Sequence, residues 1–101
     1  METESSGSKW LLDRAQKAEN TFESRSWLLT ARNTHPTLFS VQYAAYELEC
    51  KAKTSPQDAA AILLTLVKNE EFENEKVLWD EIEAVIKYVF DHYFFTKFFY
   101  F

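Results

Sequence analysis

A chain of 101 residues, 47% apolar and 27% charged, has room for one small domain with a thin core. One glycine (Gly7) and two prolines (Pro36, Pro56) are too few for the tight turns of a many-stranded sheet, which leaves long helices joined by polar loops. The net charge of −5 comes from residues 54–101, where nine acidic side chains face four basic ones, against seven of each in residues 1–53. Such a balance lacks the clustered Lys and Arg that neutralise phosphates, so no direct nucleic-acid binding is expected.

Residues 1–7 read as a disordered leader, acidic and polar, without the basic-then-apolar pattern of a secretion signal or the Arg-rich pattern of a transit peptide. Residues 8–101 read as one helical-repeat domain. Ser8 is placed to cap a first helix over Lys9 to Glu19, with Leu11, Leu12, Ala15 and Ala18 at helical spacing. Asn20-Thr21 breaks it. A second helix follows from Phe22 to Thr34, with Trp27, Leu28 and Ala31 on one face, and Pro36 bounds it.

The third helix is expected from Thr37 to Lys53. It carries two stripes, Leu38, Val41, Ala45, Leu48 and Phe39, Tyr43, Tyr46, Cys50, so it should pack on two sides, with Cys50 a small core residue. Thr54-Ser55-Pro56-Gln57-Asp58 is the best local signal: Ser55 as N-cap, Pro56 at the first helical position and Asp58 where a capping box places its acid. The fourth helix, Pro56 to Lys68, shows Ala60, Leu63, Leu64, Val67 beside Ala59, Ile62, Leu66, a breadth that predicts burial on both sides. Asn69 to Glu75 reads as a polar loop with Asn74 as a cap. A fifth helix then starts near Glu75 and carries Leu78, Ile82, Val85, Ile86 and Val89 on one face.

The helices repeat as pairs. An offset of 35 lays Leu28-Leu29 on Leu63-Leu64, and an offset of 36 lays Tyr43 on Trp79, Tyr46 on Ile82 and Glu47 on Glu83. That period suits tetratricopeptide or half-tetratricopeptide hairpins, which cannot bury their apolar faces alone and stack on one another. The expected fold is therefore all-α: about five helices in stacked antiparallel hairpins, a solenoid fragment. From Tyr88 onward nine of fourteen residues are aromatic, and the tail 87–101 reads as an incomplete or non-native end that a following repeat would cover. Lys87, Asp91 and Lys97 interrupt it, and its apolar run is shorter than the ~20 residues of a spanning helix, so no membrane insertion is expected. With that face uncovered, the isolated chain is expected to self-associate.

Little in the chain points to chemistry. There is no glycine-rich phosphate loop and no cysteine pair, and Cys50 alone cannot form an internal disulfide, which suits a reducing compartment. His35 reads as a solvated loop residue and His92, next to Asp91, as a helix-end histidine. Ser24, Ser26 and Ser40 have no evident base. Trp27, Tyr43 and Trp79 fall at hairpin-packing positions. No catalytic, cofactor-binding or metal residue is assigned, and no small-molecule substrate is expected.

The run Trp27-Leu28-Leu29-Thr30-Ala31-Arg32 is followed by Pro36, Phe39, Gln42-Tyr43, Tyr46 and Glu49. The alanine-rich fourth helix and Val77-Leu78-Trp79-Asp80-Glu81-Ile82 come next. In order and spacing this set resembles the N-terminal region of the Integrator complex subunit 10 family over roughly residues 9–86. The resemblance implies a nuclear, non-enzymatic scaffold in a complex that binds RNA polymerase II and matures small nuclear RNA 3′ ends, with Integrator subunits 13 and 14 as partners. The alternative is a tetratricopeptide-like adaptor, unrelated to Integrator, that holds an extended peptide in a groove. Arg25, Arg32, Lys51 and Lys53 are its candidate contacts.

Overall fold

The computed structural model describes residues 5–52 and 56–99, with burial assigned as far as His92. Within them the chain forms α1 (Ser6–Gln16), α2 (Thr21–Thr34), α3 (Phe39–Ala52), α4 (Pro56–Lys68), a 3₁₀ turn (Glu70–Phe72) and α5 (Lys76–Phe99). No strand occurs among the described residues, and the all-α reading holds. α1 packs on α2, α2 on α3 and α3 on α4, so the helices pair up and the pairs lie side by side. The array measures 53 × 32 × 16 Å, flat enough for two layers of helices.

Local capping sets most boundaries. α1 begins earlier than the sequence suggests: Ser5 is the N-cap, its hydroxyl accepting from the Ser8 N–H at 3.2 Å, while the Ser5 N–H donates to Ser8 Oγ at 2.9 Å. Ser8 is thus the third helical residue of a capping box and not the cap, and Ser6 and Gly7 are helical. At α2 the Asn20 side chain accepts from the Glu23 N–H at 2.8 Å, so the residue expected to break one helix starts the next. α2 ends at His35, which leaves the helical region (φ −132°, ψ 63°) before Pro36. α4 starts at Pro56 as expected; Ser55 lies outside the described residues, as does Lys53.

Among the described residues two small clusters form the main packed parts of the core, and α3 belongs to both. Ala31, Leu38 and Val41 close one, against Leu11 and Leu12 of α1. Tyr46, Leu66, Phe72 and Leu78 close the other, against Phe39, Tyr43, Ala59, Ile62, Leu63 and Ile82. At the α1–α2 corner the buried Ser24 hydroxyl donates to the Ala15 carbonyl at 2.8 Å, adding to the longer 3.4 Å bond which that helix-end acceptor takes from the Ala18 N–H.

Two departures from the sequence reading concern the cover on the second cluster and on α4. Asn69–Glu75 is not simply a polar loop: Asn69 caps a 3₁₀ turn that drives Phe72 into the second cluster, where it is 1% exposed and meets Phe39 edge-on at 5.3 Å. And α4 is not covered on both sides: only Leu66 is fully buried, while Ala60, Leu64 and Val67 are exposed. α4 turns one stripe to α3, and nothing among the described residues covers the other. The first turns of α5 pack on the second cluster through Leu78 and half-buried Ile82. Ile86, Tyr88, Val89 and Phe90 are then exposed along a 24-residue helix about 36 Å long.

Phe72→Ala is expected to cost about 3–5 kcal/mol, as for other buried phenylalanines. Leu64→Ala, on the exposed face of α4, should stay within about 0.5 kcal/mol. Urea unfolding followed by circular dichroism measures both. Equal, small losses would place the 3₁₀ turn outside the core.

Candidate functional site

With no catalytic constellation foreseen, the functional question concerns surfaces. The face shared by α2 and α3 is polar and ordered. Arg25 donates twice to Glu49, Nε to Oε1 at 2.7 Å and Nη2 to Oε2 at 2.9 Å, a fork-to-carboxylate pair across the two helices. Glu49 is nearly buried and Arg25 half exposed. That hydrogen bond holds the Glu49 carboxyl below its usual range against the opposing effect of burial, and it raises Arg25. Two turns further along α2, Arg32 Nε donates to Gln42 Oε1 at 2.9 Å, and Gln42 Nε2 donates to the Pro36 carbonyl at 3.1 Å.

Arg25, Arg32 and Glu49 line the smaller of two grooves on these helices. A cleft of about 240 Å³ is lined by Arg25, Leu28, Leu29 and Arg32 of α2, Ala45, Leu48 and Glu49 of α3, and Ile62 of α4. A wider one of about 550 Å³ lies among α1, α2 and α3, with Leu12, Leu28 and Leu48 on its apolar wall and Glu47 and Lys51 at its polar rim. The candidate peptide contacts therefore divide. Arg25 and Arg32 share the smaller groove, already engaged by Glu49 and Gln42, and Lys51 stands on the larger.

At the junction with α5, burial pushes the Tyr43 hydroxyl up to about 12, helped by the Glu81 carboxylate, to which Tyr43 Oη donates at 3.3 Å. Tyr46 is raised as well, by burial and its hydrogen bond with Cys50. Cys50 itself is exposed, which corrects its reading as a core residue: the cover on that stripe of α3 stops at Tyr46. His35, the C-cap of α2, is half-buried. His92 lies inside α5 and not at a helix end, its ring parallel to Tyr88 with centroids 6.0 Å apart. The Ser24 and Ser26 hydroxyls donate to backbone carbonyls, and buried Ser40 Oγ has no hydrogen-bond partner among the described residues. Among the described residues no group of His, Cys, Asp or Glu could hold a metal ion, and no helix is long and apolar enough to cross a membrane.

Trp27 and Tyr43 pack at helix junctions as expected. Trp79 does so only in part: its ring is 44% exposed, pinned by Nε1 donating to the Glu73 carbonyl at 2.6 Å. One feature escaped the sequence reading. Trp10 meets Trp27 edge-on at 5.4 Å, and the Arg14 guanidinium lies 5.8 Å and 5.3 Å from the two ring centroids. The i, i+4 spacing of Trp10 and Arg14 was the available signal.

The chain is similar to Integrator complex subunit 10 of Macaca fascicularis, 35% identical over 63 residues, which cover 62% of this chain and 9% of that protein. It is similar to the subunit 10 proteins of Mus musculus and Homo sapiens, each 29% identical over 79 residues, or 76% of this chain and 11% of theirs. The resemblance read over roughly residues 9–86 is thus supported by a partial match of modest identity to these relatives, of whose length the chain spans about a tenth. No protein-family model and no solved structure matches the chain.

Glu49 is held below its ordinary pKa in the folded chain, so its contribution to stability is complete above the unfolded carboxylate value of about 4.3 and disappears as pH falls through the lower folded value. Denaturation at several pH values should give Glu49→Gln a flatter stability profile than the parent chain between about pH 5 and pH 3. Parallel profiles would mean that the Arg25–Glu49 pair is not formed in solution.

Proposed function

We propose that this chain is the helical beginning of a scaffold subunit of the nuclear Integrator complex. In this reading it works without catalysis, in support of small nuclear RNA 3′-end processing and RNA polymerase II regulation. The observation that carries the proposal is the similarity to Integrator complex subunit 10, which extends over up to 76% of the chain. The shape agrees with such a role. Helix pairs stacked in a flat array present long edges and grooves, as tetratricopeptide-like solenoids do, and binding strength comes from packed anchors rather than from reactive groups. Other Integrator subunits are the proposed partners, subunits 13 and 14 among them.

A second reading, an adaptor that holds a peptide, draws on the 550 Å³ groove with Lys51 at its rim. It is the weaker one, because Arg25 and Arg32, the cations best placed to grip a peptide carboxylate, are already bound within the fold.

Affinity purification of the chain, tagged at Met1 and expressed in nuclei, tests the proposal by mass spectrometry of what co-purifies. Integrator subunits, including 13 and 14, are expected to be enriched over an untagged control. Enrichment of short-motif proteins that is lost on Lys51→Glu, with no Integrator subunit present, would favour the adaptor instead.

A further inference from the structure

Among the described residues the array has two open edges, and their chemistry is opposite. At the first, α1 turns Lys9, Trp10, Arg14 and Lys17 outward. Asp13 is taken by Lys17 at 3.0 Å, so Arg14 has no carboxylate partner among the described residues. Its guanidinium is instead held against the Trp10 and Trp27 rings, which fixes the side chain while most of its N–H groups stay in water. At the other edge, Trp79, Glu83, Ile86 and Phe90 follow at i, i+4, i+7 and i+11, one stripe of α5. Ile86 and Phe90 are 63% and 61% exposed, and Glu83 makes no ion pair among the described residues. Residues 6–17 carry a net charge of +2 and residues 69–92 a net charge of −6.

We propose that these edges dock on one another between copies of the chain, the α1 edge of one against the α5 edge of the next, with Arg14 meeting Glu83 and Trp10 meeting Ile86. One guanidinium on an aromatic platform matches one carboxylate in an apolar stripe, which fixes the register as well as the attraction. Contacts between like edges are disfavoured, because they set Arg14 against Arg14 or Glu83 against Glu83. The contact is therefore heterologous and continues the array from one molecule into the next. Its apolar part comes to a few hundred Å² per partner, from aromatic side chains of about 150–250 Å² each, which makes it a weak and salt-sensitive association. This contact does not depend on the Integrator reading.

Sedimentation velocity on the full 101-residue chain tests it. The parent chain should form species larger than dimers as concentration rises, and fewer of them at high salt. Arg14→Glu and Ile86→Glu should each be monomeric. A mixture of the two should give a 1:1 dimer and nothing larger, since each variant keeps the edge the other lost. Arg14→Glu combined with Glu83→Arg should associate again. Trp10→Ala takes the place of Arg14→Glu if circular dichroism shows that variant losing helix. A monomeric parent chain, a mixture that stays monomeric, or an Arg14→Glu chain that associates like the parent would each overturn the proposal.

Discussion

The structure depends on α3 being covered from two sides. Val41 is fully buried in the first cluster with Ala31 and Leu38, and Tyr46 in the second with Leu66, Phe72 and Leu78. Neither cluster is large. A pair of helices of 11 and 14 residues, or of 14 and 13, buries too little apolar surface to offset its conformational entropy alone. Joined through one two-faced helix, the clusters stabilise each other, and the Arg25–Glu49 fork fixes how α2 lies across α3. This is nearest-neighbour logic, in which stability passes from helix to helix and the outermost elements have one neighbour fewer.

Helices set by local chemistry could be read from the sequence. Pro56 starts α4, and Pro36 closes the segment after α2, because proline restricts the backbone whatever the tertiary context. The two stripes of α3 announced its central place. What could not be read depended on which neighbour supplies cover. Phe72 sits among Glu70, Glu71 and Glu73, and its local sequence looks solvated; only the position of Phe39 across the fold makes a core residue of it. The second stripe of α4 is as apolar as the first, yet it faces water, because apolar periodicity shows what a helix can bury and not whether a partner is there. Cys50 is exposed for the same reason. On the surface, Trp10 and Arg14 looked unremarkable until Trp27 of the next helix came beside them.

Polar contacts between helices help to hold the molecule together. Its ordered polar groups are taken up in holding helices together: Arg25 on Glu49, Arg32 on Gln42, Tyr43 on Glu81, Ser24 on Ala15. Large apolar and aromatic side chains remain accessible on the outer stripe of α4, along α5 beyond Ile82 and around Trp10. Surfaces rich in Trp, Phe and Arg give much binding strength per side chain.

Hydrogen exchange resolved by peptide mass spectrometry tests the central role of α3 most directly, since amides exchange according to the local cost of opening. The slowest exchange is predicted across Val41–Glu49, with faster exchange in α1 and α4 and the fastest in α5 beyond Glu83. Protection in that part of α5 equal to that of α3, or rapid exchange around Val41 while α1 stays protected, would contradict a fold held together through α3.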